Sequence, residues 1–116
     1  MFDQAVGAAK AEEIGAYKSV NVGADSSENV GSNKSVSAGK DISMQSGKNM
    51  SLTAGDNFSI KGDKEGVIEI KDKLTIKVGK AKFVLEKNGD ITVNGKKITI
   101  KGSGDVVIKG SKILQN

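Results

Sequence analysis

The sequence predicts an all-β chain that assembles as an intertwined homotrimeric β-helix, a triangular prism built from octad repeats. Glycine recurs every eight residues at Gly7, Gly15, Gly23, Gly31, Gly39, Gly47 and Gly55. Serine follows four residues behind, from Gly15 onward, at Ser19, Ser27, Ser35, Ser43, Ser51 and Ser59. Apolar residues alternate with polar ones at the sixth and eighth positions of the unit. A fixed short period of this kind marks a repeat architecture.

Each octad reads as one short strand and one corner. The units Gly15–Val22, Gly31–Ala38 and Gly47–Ala54 place apolar or small residues at positions six and eight around a polar seventh, the period-two signature of a strand with one buried face. The glycine, usually followed within two residues by Asn or Asp, is expected to bend the chain and to permit positive φ. The recurrent serine either bonds the corner backbone or faces water.

The sixth-position column continues beyond the regular glycines, with steps relaxing to sevens and eights. It runs Val20, Val36, Met44, Leu52, Ile60, Ile68, Ile76, Val84, Ile91, Ile98, Val106 and Ile113, and these are the expected trimer-core residues. Its inward side chains grow from small to large toward the C-terminus, so the distal part is expected to be drier and more stable. Glu28 interrupts the column. A carboxylate among packed valines is costly, so either the early octads enclose water or ions or Glu28 turns outward.

Geometry sets the oligomeric expectation. Paired strands lie about 4.8 Å apart, and eight residues build only one side of a closed prism. Three copies close it, each supplying one side per rung, pairing strand edges between chains and burying the apolar column on the shared axis. Roughly thirteen rungs at about 4.8 Å would give a shaft on the order of 60 Å long.

Composition agrees with a fibrous assembly. The 116 residues suit one domain, yet 36% apolar content with 3% aromatics leaves little for a globular core. The chain has no Cys, His, Pro or Trp, so disulfides and thiolate or imidazole metal sites are excluded. No apolar run reaches membrane-span length, and the opening residues lack the features of a secretory signal. Residues 1–60 carry five lysines against seven acids, a balance of −2, and residues 61–116 thirteen against seven, a balance of +6. Every cation is lysine, without arginine forks or clustered aromatics, so no nucleic-acid partner is expected. Lysines such as Lys71, Lys73, Lys77 and Lys82 read as a solvated face.

The chain divides into a weakly repetitive segment over residues 1–14, open to fraying, the regular Gly/Ser octads over 15–62, and a lysine-rich distal part with the tip over 63–116. Residues 5–18 are rich in helix formers, but Gly7 and Gly15 keep the octad beat, which favours extended chain there. The other glycine-bearing loops, Gly62–Gly66 and Gly102–Gly104, lack phosphate-loop spacing and read as turns.

The run Ala11-Glu12-Glu13-Ile14-Gly15-Ala16-Tyr17-Lys18-Ser19-Val20-Asn21-Val22-Gly23 and the segment from Gly89-Asp90-Ile91-Thr92-Val93 to Gly102-Ser103 resemble the valine-glycine repeat (VgrG) family of type VI secretion spikes, over nearly the whole chain. The resemblance implies a homotrimeric β-helix at the C-terminal end of a spike, joined to tube proteins through a large N-terminal hub to which nothing here corresponds. It implies a cytoplasmic protein that sheath contraction drives outward into a target cell, piercing its membrane and carrying effectors. A small PAAR-repeat protein caps such spikes, which makes Lys112, Ile113, Leu114, Gln115 and Asn116 the candidate tip-docking residues. The same residues equally suit closure of the terminal rung.

No catalytic, metal or cofactor site is expected. Acyltransferases of the hexapeptide-repeat type have period six and a histidine base, and this chain has no histidine. Calcium-binding β-rolls repeat every nine residues with paired glycines, whereas Asp25, Asp41 and Asp56 come one per octad and suit solvated corners. A phage tail-spike shaft or trimeric adhesin is the alternative function. A receptor binder calls for exposed aromatics or irregular loops, and the chain offers only Phe2, Tyr17, Phe58 and Phe83.

Overall fold

The computed structural model describes residues 3–116; Met1 and Phe2 lie outside the described residues. The described chain is all-β, with no helix. Two units are distinguished, Met1–Leu52 and Thr53–Asn116.

In the first unit the chain bends at each octad glycine and the residue after it, at Gly7–Ala8, Gly15–Ala16, Gly23–Ala24, Gly31–Ser32, Gly39–Lys40 and Gly47–Lys48. The helix formers between Ala5 and Lys18 form no helix. The glycine corners at Gly7 and Gly15 interrupt that run, and glycine is a poor helix former. One expectation is corrected: none of these glycines has positive φ, and a Cβ built on any of them meets nothing within 4 Å. The corners turn through conformations that any L-residue adopts.

The second unit keeps the cadence at first, bending at Gly55–Asp56, Asp63–Lys64 and Lys71–Asp72. Its centre is an antiparallel meander of β1 (Lys73–Val78), β2 (Ala81–Glu86) and β3 (Ile91–Asn94), in the order β1-β2-β3. Bends resume at Lys96–Lys97, Ser103–Gly104 and Ser111.

Two glycine turns make the meander. Gly79 at φ 55 precedes Lys80 between Val78 and Ala81, the two-residue loop with glycine first that matches strand twist. After β2, Gly89 N–H donates to Glu86 O at 3.0 Å and Gly89 holds φ 97, a tight turn followed by a left-handed glycine. Asn88 Oδ1 accepts from the Asp90 N–H at 3.1 Å, and Glu86 N–H donates to Asp90 O at 3.0 Å, closing the loop. Lys87 N–H donates to Asp72 O at 2.9 Å and lengthens the β1–β2 ladder.

The meander reverses the chain direction twice within the stretch where the column runs through Ile76, Val84 and Ile91. Ile76 stands opposite Phe83, and Phe83 opposite Val93, while Val84 stands between Thr75 and Thr92. Opposed residues share a face and sequence neighbours take opposite faces. Ile76 and Ile91 therefore lie on one face and Val84 on the other. A step of eight keeps a residue in line only while the chain advances in one direction, and a hairpin reverses it.

Candidate functional site

The meander separates its side chains by chemistry. One face carries Leu74, Ile76, Val78, Ala81, Phe83, Leu85, Ile91 and Val93. The other carries Lys73, Thr75, Lys77, Lys82, Val84, Glu86, Thr92 and Asn94. Strict alternation along each strand produces this split. On the apolar face an open groove of about 330 Å³ runs between Ile76, Val78, Phe83 and Val93 and the following segment at Gly95, Lys97 and Ile98. At the other end a smaller one of about 140 Å³ is lined by Leu74, Leu85, Ile68 and Ile70 together with the charged Lys71, Asp72, Glu86 and Lys87. The unit thus gathers the column residues Ile68, Ile76 and Ile98 around a single apolar surface.

The remaining column residues lie along the octads. Val20, Val36, Met44, Leu52, Ile60, Val106 and Ile113 are all exposed. Position four, not singled out by the repeat pattern, is apolar in the later octads as Ile42, Met50 and Phe58. Position six projects furthest: Met44 is 72% exposed against 58% for Ile42, and Leu52 67% against 52% for Met50. Extending the alternation one step back from position six reveals position four. Leu74, Phe83 and Leu85 needed the hairpin register to be placed.

Charge enters the same stripe in a regular way. Lys18 Nζ lies 2.8 Å from Glu12 Oε1, and Lys34 Nζ lies 2.8 Å from Glu28 Oε2. Lys10 Nζ donates to Gln4 Oε1 at 3.1 Å. Each pair joins position six of one octad to position four of the next. The hydrogen bond from Lys18, its charge and, more weakly, the charge of Lys10 hold the Glu12 carboxyl below the usual glutamate range, against slight desolvation. Among the recurrent serines, Ser19 Oγ accepts from Asn21 Nδ2 at 3.3 Å.

The terminal residues Lys112, Ile113, Leu114, Gln115 and Asn116 are all exposed, Leu114 at 80%. Among the described residues no cluster of carboxylates is arranged to hold a metal ion, and no helix is long and apolar enough to cross a membrane.

Every backbone–backbone hydrogen bond among the described residues lies between Asp72 and Asn94. No described residue is buried, and the accessible surface is 13096 Å². A compact monomer of 12.0 kDa would expose about 6,000 Å² and the unfolded chain about 17,400 Å². No family model and no curated protein matches the chain.

Proposed function

We propose that this chain is the β-helical part of a homotrimeric puncturing spike of the type VI secretion kind, in which three copies wind together and transmit force along a stiff, interchain-bonded shaft. The observation that carries the proposal is the combination of an eight-residue cadence of bends from Gly7 to Lys71 with apolar side chains that are all left open.

Three further features support it. Residues 3–71 and 95–116 make no backbone–backbone hydrogen bonds with one another, so their N–H and C=O groups are free to pair with strands of other copies. The octad glycines have no conformational task inside the chain, since φ is not positive and the space at each Cβ is open. A missing side chain then serves close approach by a neighbouring backbone. Burying position six gains more than burying position four where both are apolar, because Met44, Leu52 and Ile60 are more exposed than Ile42, Met50 and Phe58.

In this reading the chain performs no bond chemistry. Contraction of a sheath supplies the work, tube proteins connect at the base through a hub, and a PAAR-repeat protein docks on Lys112–Asn116. Effectors ride on the tip, and the target membrane is opened mechanically.

Molar mass by light scattering tests the proposal. Three chains of 12.0 kDa give about 36 kDa. A well-folded species of 12.0 kDa at every concentration would overturn it.

A further inference from the structure

We propose that the Lys73–Asn94 meander is a dedicated self-association module, whose apolar face packs against the same face of two further copies at the threefold axis. The inference rests on the trimeric reading but assigns a different geometry to this region: sheet face against sheet face, rather than one octad side per rung.

The apolar face is continuous across three strands and carries no charged residue on that side of the strands, while Lys97 at one end and Lys71, Asp72, Glu86 and Lys87 at the other rim its grooves. Ile76, Val78, Ile91 and Val93 are each more than half exposed, and Phe83 sits at the centre of the sheet. Each of these leaves on the order of 100 Å² open, so together they reach about 500 Å², toward the upper end of the largest apolar patch on an ordinary soluble monomer, a size that often marks an interaction surface. Ile98 at one end and Ile68 with Ile70 at the other extend the patch further.

The occupant is a copy of the same chain for three reasons. The centre of the face is aliphatic with a single aromatic and its charges are confined to the rim, the arrangement of an interface core that complements itself. Both outer strands are bonded on one side only, so β1 and β3 present free edges beside the bare face. A symmetric copy covers face and edges together, which is how closed oligomers dispose of both. The opposite face, with Lys73, Lys77, Lys82 and Glu86, suits solvent, and the directly opposed Lys77 and Lys82 repel unless water separates them.

The chain has no cysteine, so single introduced thiols report proximity cleanly. Phe83→Cys and Val84→Cys are made in the full chain, their molar masses measured under reduction, and interchain disulfide formation followed after mild oxidation. Phe83→Cys is expected to yield at least tenfold more interchain cross-link than Val84→Cys, with Val93→Cys as a second site on the apolar face should Phe83→Cys fail to assemble. A trimeric mass with cross-linking favoured at Val84→Cys, or absent at both apolar-face sites, overturns this module and leaves the trimer standing. A monomeric mass for the unsubstituted chain overturns both.

Discussion

Lys34 donates to Glu28 at 2.8 Å across an octad corner, and the two residues occupy positions six and four of successive repeats. Elsewhere the same two positions hold Val36 and Ile42, Met44 and Met50, or Leu52 and Phe58. The carboxylate that interrupts the apolar column therefore comes with its own counter-charge, so an ion pair replaces an apolar pair in register. A partnered charge is tolerated in a stripe where a lone one is not.

The double variant Glu28→Val, Lys34→Ile restores the apolar pairing and is expected to raise stability by about 1 kcal/mol, since well-packed apolar replacements of such pairs are commonly neutral or stabilising. Glu28→Val alone leaves the Lys34 ammonium without its partner and is expected to lower stability. Thermal unfolding of the three proteins decides it. A double variant less stable than the single one would show that this stripe faces water in the assembled state.

Glu12 and Lys18 repeat the relationship sixteen residues earlier, and here the pH dependence follows. The hydrogen bond from Lys18, then its charge, depresses the Glu12 pKa in the folded chain. A depressed carboxylate stabilises above its unfolded pKa, and that contribution disappears as pH falls through the lower folded value. A carbon-detected NMR titration should find the Glu12 midpoint below that of the Lys18→Ala variant. Coincident midpoints would show that the pair does not persist in solution.

The octad corners were legible because glycine and bend coincide from Gly7 to Gly55. The bends at Asp63 and Lys71 hold the cadence without a glycine at the corner, and only the column through Ile60 and Ile68 pointed to them. The meander was harder for a definite reason. Val78-Gly79-Lys80-Ala81 and Asn88-Gly89 are hairpin turn sequences, but Ile76, Val84 and Ile91 follow one another at the same seven- and eight-residue steps as the repeat. Both readings predict alternation. They differ only in which strand lies opposite which, and pairing is set by turn conformation rather than by period. The pairs across the corners were illegible because six-residue separation means contact only once the bend angle is known.

Those turn conformations make the hairpin glycines unequal. Gly79 at φ 55 opens a two-residue loop whose second residue, Lys80, has no positive φ, and the first position of such a turn is close to restricted to glycine. Gly89 at φ 97 instead follows a tight turn, at a left-handed bulge position. Gly79→Asn is expected to cost about 1–3 kcal/mol, while Gly89→Asn costs less because asparagine adopts the left-handed region more readily than other non-glycine residues. Denaturant unfolding of the two variants tests the order. Equal losses would mean that the turn at Gly79 relaxes to another conformation.

The octad glycines give the sharpest test, because the sign of the effect separates a corner in water from a corner against another chain. Gly31 has no positive φ and open space at its Cβ, so alanine fits the isolated chain without strain. Facing water, Gly31→Ala would stabilise by about 0.4–1 kcal/mol through the unfolded state alone. Against a neighbouring backbone the added methyl overpacks and is expected to destabilise by about 1–3 kcal/mol in each chain. Gly62→Ala is the internal reference, since its Cβ would stand 3.0 Å from the Glu65 carbonyl oxygen, a backbone atom that must shift by a few tenths of an ångström, and it is expected to lower stability wherever the chain sits. A melting temperature that falls for both variants supports interchain approach at the corners. A rise for Gly31→Ala beside a fall for Gly62→Ala would place the octad corners in solvent and remove the reason for threefold winding.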